Sequence, residues 1–167
     1  MVSSGHHRPY RGGYRPIDPR QTVVLLGAAT VIAQAILLRE AMAAMGGSEL
    51  AWGVVMALWL GAMAGGARFG VRYGRRKQAA WLPPTVLVLA GAGTLLFRAA
   101  PALLGAAPGE SLTTASALWL WALAVMPSAA VGGCAFPILA QAIGRGGGGR
   151  AYALEAVGAL VGGAVLT

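Results

Sequence analysis

The side chains able to do acid–base, nucleophilic or metal chemistry are few in this 167-residue chain, and their spacing matters more than their number. The two histidines, His6 and His7, are adjacent and lie ahead of the first apolar run. No apolar segment contains a histidine, which excludes bis-histidine haem or histidine-held chlorophyll within a helical bundle. The single cysteine, Cys134, sits inside an apolar run, where a free thiol behaves as a small hydrophobe, and it has no second thiol for a disulfide or a thiolate metal cluster. Neither a Ser/His/Asp nor a Cys/His set can be assembled. The glycine run at 146–149 precedes a helical segment as phosphate loops do, but no strand comes before it and no GxxxxGK[ST] pattern is present. The sequence therefore predicts no catalytic residues, no cofactor, no metal site and no enzyme activity in this chain.

What remains are ionisable groups next to or inside apolar runs, and such groups mark function or structural pairing. Arg39 and Glu40 stand together near the end of the first run, about 27 Å along a helix from Thr22. Glu49 and Glu110 are the acids expected at the same depth, and either can meet Arg39. Glu155 follows Arg150 and belongs near the opposite face, where Arg68, Arg72 or Arg145 can neutralise it. Arg39, Glu40, Glu49 and Glu155 are thus expected to form structural ion pairs at two separate sites. Gln34, nearer the middle of its run, is expected to hydrogen-bond across helices.

The elements that must position these groups follow from composition. Hydrophobic residues make up 57% of the chain and charged ones 11%, too apolar for a soluble domain of this size. A helix crosses about 30 Å of hydrocarbon with roughly 20 apolar residues. Spans are predicted over about 22–45, 49–71, 81–100, 113–143 and 151–167, giving an all-α, polytopic membrane bundle of about five transmembrane helices. Gly46-Gly47 can stop the first helix and Ser48 can cap the second. Pro83 and Pro84 fall in a first turn, where proline is tolerated. The fourth span is long and holds Pro127 and Pro137, so a kink, a tilt or a re-entrant break is expected. Residues 101–112 and 144–150 read as loops. Residues 1–20, rich in Arg, Pro and Gly, read as an extended basic tail that lies on anionic headgroups, meets a partner, or serves topology only.

Charge placement supplies the orientation. The net charge is +8, yet the basic residues are not patched as for nucleic acid. Eleven of the thirteen occupy the tail, the 68–77 region and the 145–150 loop, all on one side of an alternating path. By the positive-inside rule that side, with the N-terminus, is cytoplasmic. A bacterial inner membrane is the expected location, with the lipid bilayer and other membrane subunits as partners and no nucleic acid. Small residues recur at four-residue spacing: Gly61 and Gly65, Gly66 and Gly70, then Gly158 and Gly162. Such faces let helices approach closely in lipid. They are expected to pack inside this bundle or against another subunit.

Several stretches taken together resemble a known family. Gln34-Ala35-Ile36-Leu37-Leu38-Arg39-Glu40, then Gly47-Ser48-Glu49-Leu50-Ala51-Trp52-Gly53, Trp59-Leu60-Gly61 and Gly65-Gly66, resemble the opening of the membrane domain in spermidine-synthase-like transmembrane proteins. Gly132-Gly133-Cys134-Ala135-Phe136-Pro137 is similar to that domain's G-x-x-FP element, and the stretch from Ala151 to Gly163 to its Tyr/Glu/Gly-rich helix. The family's membrane helices precede a soluble aminopropyltransferase domain that binds decarboxylated S-adenosylmethionine and a polyamine. Nothing here matches that catalytic half, so the resemblance implies a fragment or a shortened relative and carries no activity over. The leading expectation is a non-catalytic scaffold or accessory subunit that packs against a larger membrane complex, photosynthetic or respiratory in kind. The alternatives are a transporter, or part of one, for polyamines or another small solute, and the membrane anchor of an aminopropyltransferase.

Overall fold

A computed structural model describes residues 18–44, 49–105, 114–144 and 146–167. The tail over 1–17, the Gly46-Gly47 stop, the Ser48 cap, Glu110 and Arg145 lie outside the described residues. Five α-helices account for nearly all of what is described: α1 (Pro19–Ala44), α2 (Glu49–Tyr73), α3 (Leu82–Leu103), α4 (Thr114–Ile143) and α5 (Gly147–Val165). A six-residue 3-10 helix, Arg76–Trp81, links α2 to α3.

Local chemistry explains where the helices start and stop. Asp18 opens α1 by accepting a hydrogen bond from the Arg20 amide at 3.0 Å, which satisfies one of the free N–H groups of the first turn. The helix therefore begins two residues inside the expected tail. Helix α3 runs through Pro101 to Leu103, three residues past the predicted end, and Gly105 then ends the turn at φ +66°. Helix α4 continues unbroken through Pro127 and Pro137, so the re-entrant break is not present. The expected loop over 144–150 is shorter than predicted. Gly144 and Gly146 turn the chain at φ +96° and +71°, and α5 begins at Gly147.

Four helical segments, Pro19–Ala44, Trp52–Tyr73, Ala79–Leu103 and Ser116–Ile143, are long and apolar enough to cross a membrane. On this ground the chain is a multi-pass membrane protein. Helix α5, which carries Arg150 and Glu155, is not among those four; it lies along α1. Helices α1 and α4 form the centre, with α2 and α3 against α4 and α5 against α1. Val23, Leu26, Ala33, Leu37, Val125, Ala129 and Leu139 are fully buried between them.

The contacts also fix direction. Val24 faces Gly158 and Ala28 faces Gly162, so α1 and α5 run parallel. Ala130 faces Gly66 and Cys134 faces Gly70, so α2 and α4 are parallel as well. Gly93 meets both Leu37 and Ala124, while Gly132 meets Thr30 and Val86, setting α4 antiparallel to α1 and α3. The helices thus alternate along the chain, as successive membrane crossings must.

Two seams bring backbone against backbone. A methyl group added at Gly158 would overlap the Val24 carbonyl, one at Gly162 would lie 2.8 Å from Ala28, and one at Gly27 would strike the Glu155 carbonyl. Across the other seam, Gly66 and Gly70 face the Ala130 and Cys134 backbone, and Gly133 faces Met63. Where lipid tails are as apolar as the side chains, such close approach gains the dispersion contacts that hold helices together. Gly61 and Gly65, in contrast, have open space where a Cβ would stand. Ala raises helix propensity over Gly by about 0.5–1 kcal/mol wherever there is room. Gly61→Ala is therefore expected to raise thermal stability in detergent by that amount. Gly158→Ala and Gly66→Ala, despite the same propensity gain, should lose about 1–3 kcal/mol through overpacking, read from unfolding midpoints.

Candidate ionic and helix-docking sites

The charged residues sort to the two ends of the bundle. One end gathers Arg20, Arg68, Arg72, Arg75 and Arg150, with Arg76 and Lys77 in the 3-10 segment. The other holds Arg39, Glu40, Glu49 and Arg98. Aromatic side chains sit at both boundaries. Tyr73, Trp81 and Tyr152 are exposed near the basic end and Trp52 near the other, as amphipathic rings are in a bilayer. Arg72 lies over the Tyr73 ring at 5.5 Å, a cation–π contact that keeps it at that level.

At the less basic end, Glu40 does not pair with its neighbour Arg39. Successive residues on a helix point about 100° apart, so adjacency in sequence does not bring two side chains face to face. The partner is Arg98 of α3, which Leu37 and Gly93 bring to the same level. Its Nη2 donates to Glu40 Oε1 at 2.7 Å and its Nε donates to Oε2 at 3.4 Å. The carboxylate is the more enclosed partner, 20% exposed against 69% for the guanidinium. A two-pronged, charge-assisted pair of this kind fixes α3 against α1 in rotation as well as in depth. Arg39 and Glu49 are exposed and make no ion pair among the described residues. Glu49 stands in the first turn of α2, where its charge complements the helix dipole.

Toward the basic end, Glu155 is half-buried on the side of α5 that meets α1, with its carbonyl against Gly27. It forms no ion pair among the described residues, Arg68 and Arg72 included. The remaining interior polar groups are mostly satisfied locally. Thr30 Oγ1 donates back to its own helix, 3.0 Å from both the Leu26 and Gly27 carbonyls, and Ser128 Oγ donates to Val125 O at 3.0 Å. Gln34 Nε2 donates to Met56 Sδ at 3.3 Å, a bond between α1 and α2. Among the described residues no group of three or more His, Cys, Asp or Glu side chains converges as metal ligands would.

The six glycines singled out by spacing divide between two environments. Gly66, Gly70, Gly158 and Gly162 are buried in the two seams. Gly61 and Gly65 face outward from α2, in line with Gly53 and Ala57, and all four are exposed. Helix α2 therefore carries two small-residue faces, of which the bundle uses one. Spacing alone did not identify Gly27, Gly93 or Gly133, which occupy equally close contacts, because each meets its partner singly and not as half of a four-residue repeat.

The Glu40–Arg98 pair is open to a double-mutant cycle. Arg98→Gln strands a mostly enclosed carboxylate, whereas Glu40→Gln together with Arg98→Gln removes both charges. The double variant should be less destabilised than the sum of the singles. That non-additivity, small because the guanidinium is open to solvent, is measured by thermal unfolding in detergent. In comparisons with known proteins, no family model, no curated protein and no solved structure matches the chain.

Proposed function

We propose that this protein is a non-catalytic membrane scaffold or accessory subunit, held in a bacterial cytoplasmic membrane with its basic end inside, that packs against a larger membrane assembly. The observation that carries this reading is the second small-residue face of α2. Gly53, Ala57, Gly61 and Gly65 form an outward strip on a helix whose opposite side is already docked on α4 through Gly66 and Gly70. A glycine facing lipid has a propensity cost and no packing return within the chain. A helix from another subunit would recover that cost by the close approach seen at the inner seams. The sorting of arginines to one end supports the orientation, since positively charged connections are retained on the cytoplasmic side.

The test uses bulk on the outer face. A Cβ at Gly61 or Gly65 has no atom of the bundle within 4 Å, so Gly61→Leu with Gly65→Leu should unfold at or above the wild-type temperature. It should nevertheless release co-purifying membrane partners, reducing the particle mass to that of one chain on size exclusion in mild detergent. Wild-type protein running as a free monomer in mild detergent would overturn the proposal. Orientation is checked in a Cys134→Ala background on intact spheroplasts. A membrane-impermeant thiol reagent is expected to label Glu49→Cys and to leave Lys77→Cys unlabelled until the cells are opened.

A further inference from the structure

The basic end of the bundle holds a cleft of about 430 Å³ where the start of α1, the end of α4 and the start of α5 meet. Arg20 and Arg150 line it together with Ile143, Ala153 and Leu154. Both arginines are exposed, and neither guanidinium has an ion-pair partner among the described residues. Asp18, two residues before Arg20, is occupied as the α1 cap through the Arg20 amide. Two cations thus open on a cleft whose other walls are apolar, at the basic end of the bundle where α1 and α5 begin.

From this arrangement we infer that the cleft is a binding site for an anionic phospholipid, with its phosphate between Arg20 and Arg150 and the start of an acyl chain along Ile143, Ala153 and Leu154. Arginine suits the headgroup because its planar fork donates two hydrogen bonds to one phosphate. Leu154 is one turn beyond Arg150 on α5, so the apolar wall continues inward from the charged rim as a chain attached to that phosphate would. The first turn of α5 contains no acidic residue and no side-chain cap, leaving the positive end of its dipole directed toward the same rim. Basic pockets between helices on the cytoplasmic side are suited to anionic headgroups. The inference rests on the membrane reading but not on the scaffold reading, since the cleft is remote from the outer face of α2.

Native mass spectrometry of the full chain, released from mild detergent with added phosphatidylglycerol or phosphatidylcholine, tests it. Wild type should retain phosphatidylglycerol in preference to phosphatidylcholine. Arg20→Gln and Arg150→Gln should each weaken that binding about fivefold, and the pair about 25-fold, the loss expected for one and two basic contacts at an anionic surface. Arg72→Gln with Arg75→Gln, the same change of charge at the same end, should leave it within twofold. Arg20→Lys with Arg150→Lys should retain most of the binding, which separates lost charge from lost fold, and circular dichroism of each variant provides a second check. Equal retention of the two lipids, equal losses in the Arg72/Arg75 control, or no loss in the Arg20/Arg150 variants would overturn the inference. So would displacement of the lipid by millimolar inorganic phosphate, because the site would then take a free anion without its acyl chain. Loss of partners from the Gly61/Gly65 variant with lipid binding intact would show the two proposals to be independent.

Discussion

The fold depends on how near two helix backbones can come. In water, burial of apolar side chains would hold these helices together; in lipid that drive is absent, and contact distance takes its place. At the α1–α5 and α2–α4 seams the carbonyls of one helix lie where the Cβ atoms of the other would be, so glycine is the only residue that fits. The peripheral helices are fixed in depth and rotation by these contacts, and the central α1–α4 pair supplies the apolar interior on which both seams are mounted.

Polar groups are few and are handled in keeping with that constraint. The Thr30 and Ser128 hydroxyls return to carbonyls of their own helices, whereas Thr94 Oγ1 and Trp121 Nε1 are buried without a hydrogen-bond partner among the described residues. The Glu40–Arg98 pair lies toward a helix end, where the bilayer is least costly to charge. Gln34 to Met56 is a weak bond on its own, yet it joins α1 to α2, which otherwise touch little. The result is a bundle with specific polar anchors at its rim and shape-based packing through its middle.

Much of the architecture was legible in the residues, because hydropathy and arginine placement report directly on which segments meet lipid. The helices, their order and the sorting of charge between the ends followed from 22–45, 49–71, 81–100 and 113–143 with only small shifts at the boundaries. Boundary shifts arose where a local rule was outweighed by helix continuation: Pro101 fits a last turn, and Gly147 to Arg150 can form a first turn once Gly146 has made the bend. The partner of Glu40 was less legible. Arg98 is 58 residues away, and only the relative depth of α1 and α3 makes it a closer neighbour than the adjacent Arg39. The two glycine faces of α2 could not be told apart by spacing, because a one-residue offset between Gly65 and Gly66 turns the backbone by about 100° and sends one face inward and the other out. The spacing rule recognises a small face; which neighbour it meets is decided by the rest of the bundle.

The order in which the chain is synthesised gives the seams a further meaning. Helix α1 emerges from the ribosome ahead of α2, α3 and α4, yet its glycine contact is with α5, which follows all three; α2 likewise must await α4. Translation therefore delivers each seam one side at a time, and the early hairpin resides in the bilayer with two bare small-residue faces while the later helices are still being made. The α1–α5 seam can close only once α5 has been made and has slid in parallel to α1, and any nascent chain released before α5 exists would leave Gly27 without its counterpart.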